Sequence, residues 1–170
     1  MRILIVGIAG FVGANLTRYL IANNKDISIV GIDSLEEPSS YHNVLTNKKI
    51  SDFQITNATN AKIVNTIFEI NRPEIVIFLA AKKTGSFSSI IQNDTTSLIN
   101  ILDCCHKHSS KLIYVSMARS SNDIFSITKT TCENLIRLYD IPSSIVRVPE
   151  MFGSRALSGL IVDMFLDIKG

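Results

Sequence analysis

The chain has 170 residues, 46% of them hydrophobic and 19% charged, with 17 Lys+Arg against 15 Asp+Glu for a formal net charge of +2. A domain of this size buries roughly 70% of the surface its unfolded chain exposes, so it needs neither disulfides nor metal, and disorder, collagen-like repeats and disulfide-rich scaffolds are excluded. Balanced charge gives no clustered Lys and Arg to hold a nucleic acid or an acidic membrane, and no apolar run reaches the roughly 18 residues of a membrane span.

Short apolar runs rich in β-branched residues alternate with stretches of helical period, the pattern of βαβ units around a parallel sheet. The first strand, residues 2–6, runs into Gly7-Ile8-Ala9-Gly10-Phe11-Val12-Gly13 and a helix over 11–23. It leads to a glycine motif and not to a small-residue cleavage site, so a cytoplasmic location is expected. The second strand, 28–32, ends in Asp33, and a weaker helix is expected over 41–47. Strands at 52–55, 74–79, 111–116 and 143–148 alternate with helices at 60–71, 88–108 and 125–139. Pro73 and Pro142 punctuate the chain before the fourth and sixth strands. The predicted fold is therefore α/β, a Rossmann-type doubly wound parallel sheet of about six strands. Cys104, Cys105 and Cys132 lack CxxC spacing and read as reduced core thiols, and no metal site is expected. The segment 160–168 is apolar on nearly every side. It asks for burial on more than one face, in a dimer contact, in a truncated domain or on its own sheet.

The glycine turn carries the first functional signal. Gly7 permits a tight turn after a strand, Gly10 lets backbone approach a pyrophosphate, and Gly13 lets the helix pack close to the sheet. Amides at the helix start, with the helix dipole, suit an anionic phosphate bridge. Asp33, twenty residues past Gly13, is placed to accept hydrogen bonds from ribose hydroxyls and to repel a 2′-phosphate, which favours NAD over NADP. The alternative is that the glycines only pack and Asp33 only caps the following loop.

With these residues in place, the chain resembles the extended short-chain dehydrogenase/reductase family, the NAD-dependent epimerases and dehydratases of nucleotide sugars. Gly7, Gly10, Phe11, Val12 and Gly13 match the family's glycine turn. Gln54-Ile55 stands where the family has an Asp-Ile pair against the adenine. Phe78-Leu79-Ala80-Ala81 resembles its His-Leu-Ala-Ala stretch along the dinucleotide, followed by the basic Lys83, and Asn93 matches an asparagine near the cofactor. Ile113-Tyr114-Val115-Ser116 resembles the fifth-strand motif, and Arg147-Val148-Pro149-Glu150-Met151-Phe152-Gly153 resembles Arg-x-Pro-Asn-x-Tyr/Phe-Gly with Glu150 in place of the asparagine. The resemblance implies bound NAD(H), a nucleotide-sugar substrate, and a homodimer or a larger enzyme. A dimer would form through segment 160–168 or through the long helix bearing Ile90, Ile91, Leu98, Ile101 and Leu102.

The departures lie at the catalytic positions. The family's Tyr-xxx-Lys reads Phe125-Ser126-Ile127-Thr128-Lys129, and its catalytic Ser or Thr aligns with Met117. In the family the lysine holds the nicotinamide ribose and lowers the tyrosine's pKa for proton exchange with the sugar hydroxyl. Phenylalanine fills the space but carries no proton, so Lys129 is the one group retained. Tyr41, Tyr114 and Tyr139 lack the four-residue offset from Lys129, and His42, His106 and His108 read as loop or helix-end residues. Ser120 to Asp123 reads as a helix cap. The resemblance divides the chain into an NAD-binding domain over 1–153 and an apolar helix over 154–170, the remnant of a substrate lobe otherwise largely missing. Three readings follow: a binding or regulatory module with impaired chemistry, an active epimerase, dehydratase or reductase with an external proton donor, and a structural remnant that binds nothing.

Overall fold

The computed structural model describes residues 1–36, 50–82, 84–118 and 121–153. The helix expected over 41–47, with Tyr41 and His42, lies outside the described residues, as do Lys83, Ser120 and the segment 154–170.

Among the described residues six strands form one parallel sheet: β1 (Arg2–Val6), β2 (Ser28–Asp33), β3 (Asp52–Ile55), β4 (Ile75–Phe78), β5 (Lys111–Met117) and β6 (Ser143–Val148). Their order is β3-β2-β1-β4-β5-β6, the doubly wound arrangement predicted from the alternating pattern. Among the described residues four helices lie between them: α1 (Phe11–Asn23), α2 (Ala61–Asn71), α3 (Phe87–His108) and α4 (Ile124–Ile136). Strands covered on both faces read as continuous apolar runs, which is why β1 buries all but Arg2 and β2 buries its four central residues.

The pleat divides the core in two. On one face Leu4, Val6, Val30, Ile32, Val76, Phe78, Leu112 and Tyr114 meet Phe68 of α2, Leu98, Ile101 and Leu102 of α3, and Ile136 of α4. On the other, Ile3, Ile5, Ile29 and Ile77 pack with Ile8 and with Leu16 and Leu20 of α1. The three cysteines are free and buried in the first of these cores, as expected. The same packing corrects the expected dimer surface on α3: Ile90, Leu98, Ile101 and Leu102 are buried within the chain, and of that set only Ile91 is exposed.

Helix ends follow their sequences. Asn60 caps α2 by accepting the Ile63 N–H, Ser86 caps α3 through Ser89, and Asp123 caps α4 through Ser126. Gly10 heads α1 with no side-chain cap at all. Arg72 and Ser109 end α2 and α3 in left-handed conformations, and Pro73 follows Arg72 where the helix was expected to stop.

Candidate functional site

In an open doubly wound sheet ligands bind beyond the carboxyl ends of the strands where the order reverses, here between β1 and β4. Gly7 and Leu79-Ala80 meet at that point. Gly7 has φ +86°, and a Cβ on it would stand 2.7 Å from the Ala80 nitrogen. A Cβ on Gly13 would stand 2.3 Å from the Gly7 carbonyl oxygen and 2.7 Å from Ile8 Cα. The fold itself therefore demands glycine at 7 and 13. Gly10 differs: its φ of −65° suits any residue, and a Cβ there would meet only the Gly7 oxygen, at 3.4 Å. Packing among the described residues does not explain why position 10 is bare. A ligand lying against the uncapped start of α1 does, and the amides there suit a phosphate.

Asp33 sits beside this turn. Its Oδ2 accepts the Ala9 N–H at 2.9 Å and its Oδ1 the Leu35 N–H at 2.9 Å. Burial pushes its carboxyl upward, while the amides of Leu35, Ala9 and Gly10 pull it back. The carboxylate is thus tied to the glycine turn and retains lone pairs for hydroxyl donors. The residues present fit a dinucleotide: a bare backbone cradle for the pyrophosphate and an acidic acceptor beside it.

On the β3 side Gln54 donates to Asp52 at 2.8 Å within the edge strand, and Ile55 is exposed. Asn57, two residues past the strand, joins the network instead. Its Nδ2 donates to Asn93 Oδ1 at 2.9 Å and to Glu36 Oε1 at 3.5 Å, while its Oδ1 accepts the Thr59 N–H at 3.0 Å. Glu36 also pairs with Lys82 at 3.6 Å, linking the segments that follow β2 and β4. A polar cleft of about 490 Å³ lined by Thr59, Lys82, Asn93 and serines of α3 adjoins this network. Asn57 is a residue that sequence reasoning missed.

The β5–α4 junction holds the other expected residues. Lys129 is buried, with Nζ 3.3 Å from the Val115 carbonyl oxygen, 4.9 Å from the Tyr114 ring centroid and 5.6 Å from that of Phe125. Phe125 and Lys129 thus share one helix face, as four-residue spacing predicts. Met117 ends β5 with its sulfur 3.8 Å from the Ser126 hydroxyl, and Ser126 bonds in turn to Ser121 and to the capping Asp123. No described phenol takes the place of Phe125. Burial first of all, then the neighbouring Cys132, raises the Tyr114 hydroxyl pKa. Tyr139 lies past the end of α4 and donates to Asp103 at 2.8 Å, its hydroxyl pushed up to about 12 by burial and by that carboxylate.

Glu133 braces the junction. It accepts from Arg147 Nε at 2.9 Å and from Arg137 at 3.3 Å, and the Arg147 hydrogen bonds hold its carboxyl down to about 2. Beyond β6, residues Glu150 to Gly153 and the start of α1, Phe11 and Val12 included, line a second cleft of about 520 Å³. Among the described residues no three metal-ligating side chains converge, and no helix is long and apolar enough to cross a membrane.

Comparison with known proteins accords with this geometry. Residues 3–122 match the model of the NAD dependent epimerase/dehydratase family. A dTDP-D-glucose 4,6-dehydratase of Dictyostelium discoideum is 26% identical over 98% of this chain and 48% of its own length. Protein CapI of Staphylococcus aureus is 26% identical over 90% of this chain and 55% of its own. Among solved structures, the Bordetella bronchiseptica enzyme WbmG in complex with NAD superposes with a TM-score of 0.88 at 21% identity, covering 99% of this chain and 59% of that one. The chain thus spans about half the length of the curated relatives it matches. With the glycine turn, the sheet order and 120 matched residues (3 through 122) in agreement, the chain belongs to the NAD-dependent epimerase/dehydratase family.

Proposed function

We propose that this chain binds NAD(H) in preference to NADP(H) through residues 1–153 and that its proton-transfer chemistry is impaired, so that it acts as a binding or regulatory module. One observation carries the binding half: the bare, uncapped start of α1 at the switch point, beside the Asp33 carboxylate. The turn amides hold the pyrophosphate, and Asp33 accepts from the adenosine ribose and repels a 2′-phosphate. Leu79, Ala80, Ala81 and Val115 line the dinucleotide, Asn57 and Asn93 stand at its adenine side, with Gln54 and Ile55 farther out on β3 and Lys83 adjoining, and Lys129 holds the nicotinamide ribose. The bound nicotinamide supplies hydride exchange with a carbinol carbon. What the chain fails to supply is the matching proton acceptor, since Met117 and Phe125 occupy the two positions where the family places a hydroxyl and a phenol.

Retention of buried Lys129 favours a second reading, an active oxidoreductase on a nucleotide sugar whose proton acceptor comes from the substrate, water or another chain. Under either reading the expected setting is cytoplasmic. A second copy would meet the outer faces of α3 and α4, where Ile91 and Ile127 are exposed. Calorimetric titration tests the binding reading: NAD gives saturable heat and NADP binds more weakly. No heat and no thermal shift at millimolar NAD, or tighter binding of NADP, overturns it.

A further inference from the structure

Parallel sheets are built with both faces covered, and here one face is covered only in part. Leu112 and Tyr114 of β5 are buried in the core formed with α3 and α4. The residues that alternate with them, Ile113 and Val115, lie on the opposite face, and their β6 partners Ser144 and Val146 share it, with Val148 one pleat further on. This is the α1 face, because Ile113 pairs with Ile77 and Ile77 with Ile5. Under α1 the isoleucines at 3, 5, 29 and 77 are buried. On β6 the same face leaves Val146 44% exposed, and Ile113, Val115 and Val148 are only partly buried. The helices α2, α3 and α4 pack on the other side. Among the described residues, then, no helix lies over β5 and β6 on the α1 face.

The course of the chain after β6 points to what covers it. A Cβ on Gly153 would stand 3.6 Å from Cζ of Phe11, the first residue of α1. Glu150 to Gly153 also line the cleft of about 520 Å³ together with Phe11 and Leu16. The chain has therefore come round to α1, on the open side of the sheet, where it enters 154–170. Between 160 and 168 only Asp163 and Asp167 are polar, and four-residue spacing puts both on one line of a helix. Such a helix keeps one edge in water and asks for burial on the rest. Nine residues make about 14 Å of helix, against about 13 Å of strand from Ser144 to Val148. The connection 154–159 can span up to about 20 Å, ample for strands that lie about 5 Å apart. Residues 37–49, also outside the described set, join β2 to β3 at the far edge of the sheet.

We propose that segment 160–168 of this chain covers the β5–β6 face: it packs as a helix beside α1 and buries Ile113, Val146 and Val148, leaving Asp163 and Asp167 to solvent. Of the settings the sequence leaves open for this segment, its own sheet is the one that offers an apolar face of matching length next to where the segment starts. The docking needs no bound dinucleotide, so it stands or falls apart from the NAD(H) reading.

The test uses the full chain without added ligand. Isoleucine and valine methyl groups are labelled with ¹³C, Val146→Ala and Phe165→Leu identify the resonances, and through-space contacts of the Val146 and Ile113 methyls are mapped by NMR. Contacts to side chains of 160–168 within one chain are expected. Their absence overturns the proposal. In a mixture of labelled and unlabelled chains, contacts found only between copies overturn it as well and make the face an interface between two copies. Stability gives the second readout. Val146→Glu sets a charge beneath the cover and is expected to lower the thermal midpoint by at least about 3 °C. In a Phe165→Glu background, where the cover is already displaced, the same change is expected to have little further effect. A Val146→Glu midpoint equal to the parent's, or a drop that persists in full beside Phe165→Glu, shows that segment 160–168 does not cover this face. Should Val146→Glu not fold, Val146→Thr, of nearly the same shape, takes its place in the same comparison with a smaller drop.

Discussion

Two helix beginnings, those of α1 and α4, face the same end of the sheet and are built in opposite ways. α4 satisfies its own first turn, with Asp123 accepting the Ser126 N–H and Ser121 and Ser126 closing a hydroxyl network around it. α1 begins at Gly10 with no side-chain cap. A helix that caps itself has turned its first amides to stability, while one headed by glycine leaves that role to something outside the chain. The family's chemistry needs both places: phosphate at the first helix and proton transfer at the fourth. Here the first presents Gly7, Gly10 and Gly13 beside Asp33, and the fourth presents Met117, Phe125 and a finished cap.

The largest effects come from breaking the first site in two different ways. Gly13→Val forces a side chain into the Gly7 carbonyl and Ile8, contacts made with backbone that cannot give way. It is expected to cost at least about 3 kcal/mol, read by urea denaturation. Gly10→Asp has room and offers α1 a cap of its own, so thermal stability is expected to hold or rise while NAD binding is lost. If both variants lose stability alike, position 10 is a packing glycine and the contrast with position 13 disappears.

The next effect sharpens the second site. Met117→Ser combined with Phe125→Tyr restores the two missing polar groups above Lys129. A positioned general base contributes on the order of 10²–10⁴ in rate, so the double variant is expected to exceed the parent by that factor in NADH formation on a nucleotide sugar. A parent rate near ~10 s⁻¹, ordinary for enzymes, would show that another residue already carries the proton.

Much of this contrast was legible in the sequence, for identifiable reasons. β1 and β2 are covered on both faces, so their apolar runs are continuous and their ends sharp, and the glycine turn and Asp33 follow directly from those ends. β3 is an edge strand with none of its residues fully buried. Its pattern does not mark where the sheet stops, so nothing singled out Asn57, two residues past its end. The chain reaches that place after the Thr56 N–H bonds back to the Asp33 carbonyl at 2.9 Å, a turn with no strong sequence signature. Asp94 did leave a signal, an acid at i+4 from Ile90 and i−4 from Leu98. Its partners, the backbone N–H of Lys82 and the side chain of Asn93, show only in the fold. The α3 stripe was assigned to a second copy by the family resemblance, and in the fold Ile90, Leu98, Ile101 and Leu102 of that stripe are buried within the chain.

A smaller effect separates bracing from chemistry at the α4 end. Glu133 joins α4 to β6 through Arg147, and its carboxyl is held down to about 2 from an ordinary 4.5, chiefly by the Arg147 hydrogen bonds. A depressed carboxyl adds stability that is complete above its unfolded value and is lost as pH falls through its folded one. Glu133→Gln is therefore expected to cost roughly 1–3 kcal/mol at pH 7. The half-exposed arginines, screened by solvent, keep it toward the lower end. The difference from the parent should shrink between pH 4.5 and about 2, followed by urea denaturation across that range. NAD affinity near pH 7 should stay unchanged, since the brace lies outside the cradle.

The smallest predicted effect tests the idea that caps and ligand sites are alternatives. Asn60 closes α2 by accepting the Ile63 N–H at 3.2 Å, on the exposed side of the fold. Replacing such a cap by alanine typically costs about 1 kcal/mol, because one first-turn amide loses its acceptor and only water replaces it. For Asn60→Ala the loss should be the same with and without saturating NAD, since no ligand restores the missing acceptor. At the start of α1 the order reverses: the wild-type chain should gain stability with NAD as RT ln(1 + [L]/Kd), about 2.7 kcal/mol at a hundredfold excess over Kd, and Gly10→Asp should gain none. Thermal melts of the parent and both variants, each with and without NAD, separate the two cases. An Asn60→Ala deficit that NAD repairs, or a Gly10→Asp chain that NAD still stabilises, would mean that the ligand does not act at the α1 start and that the bare glycine has some other cause.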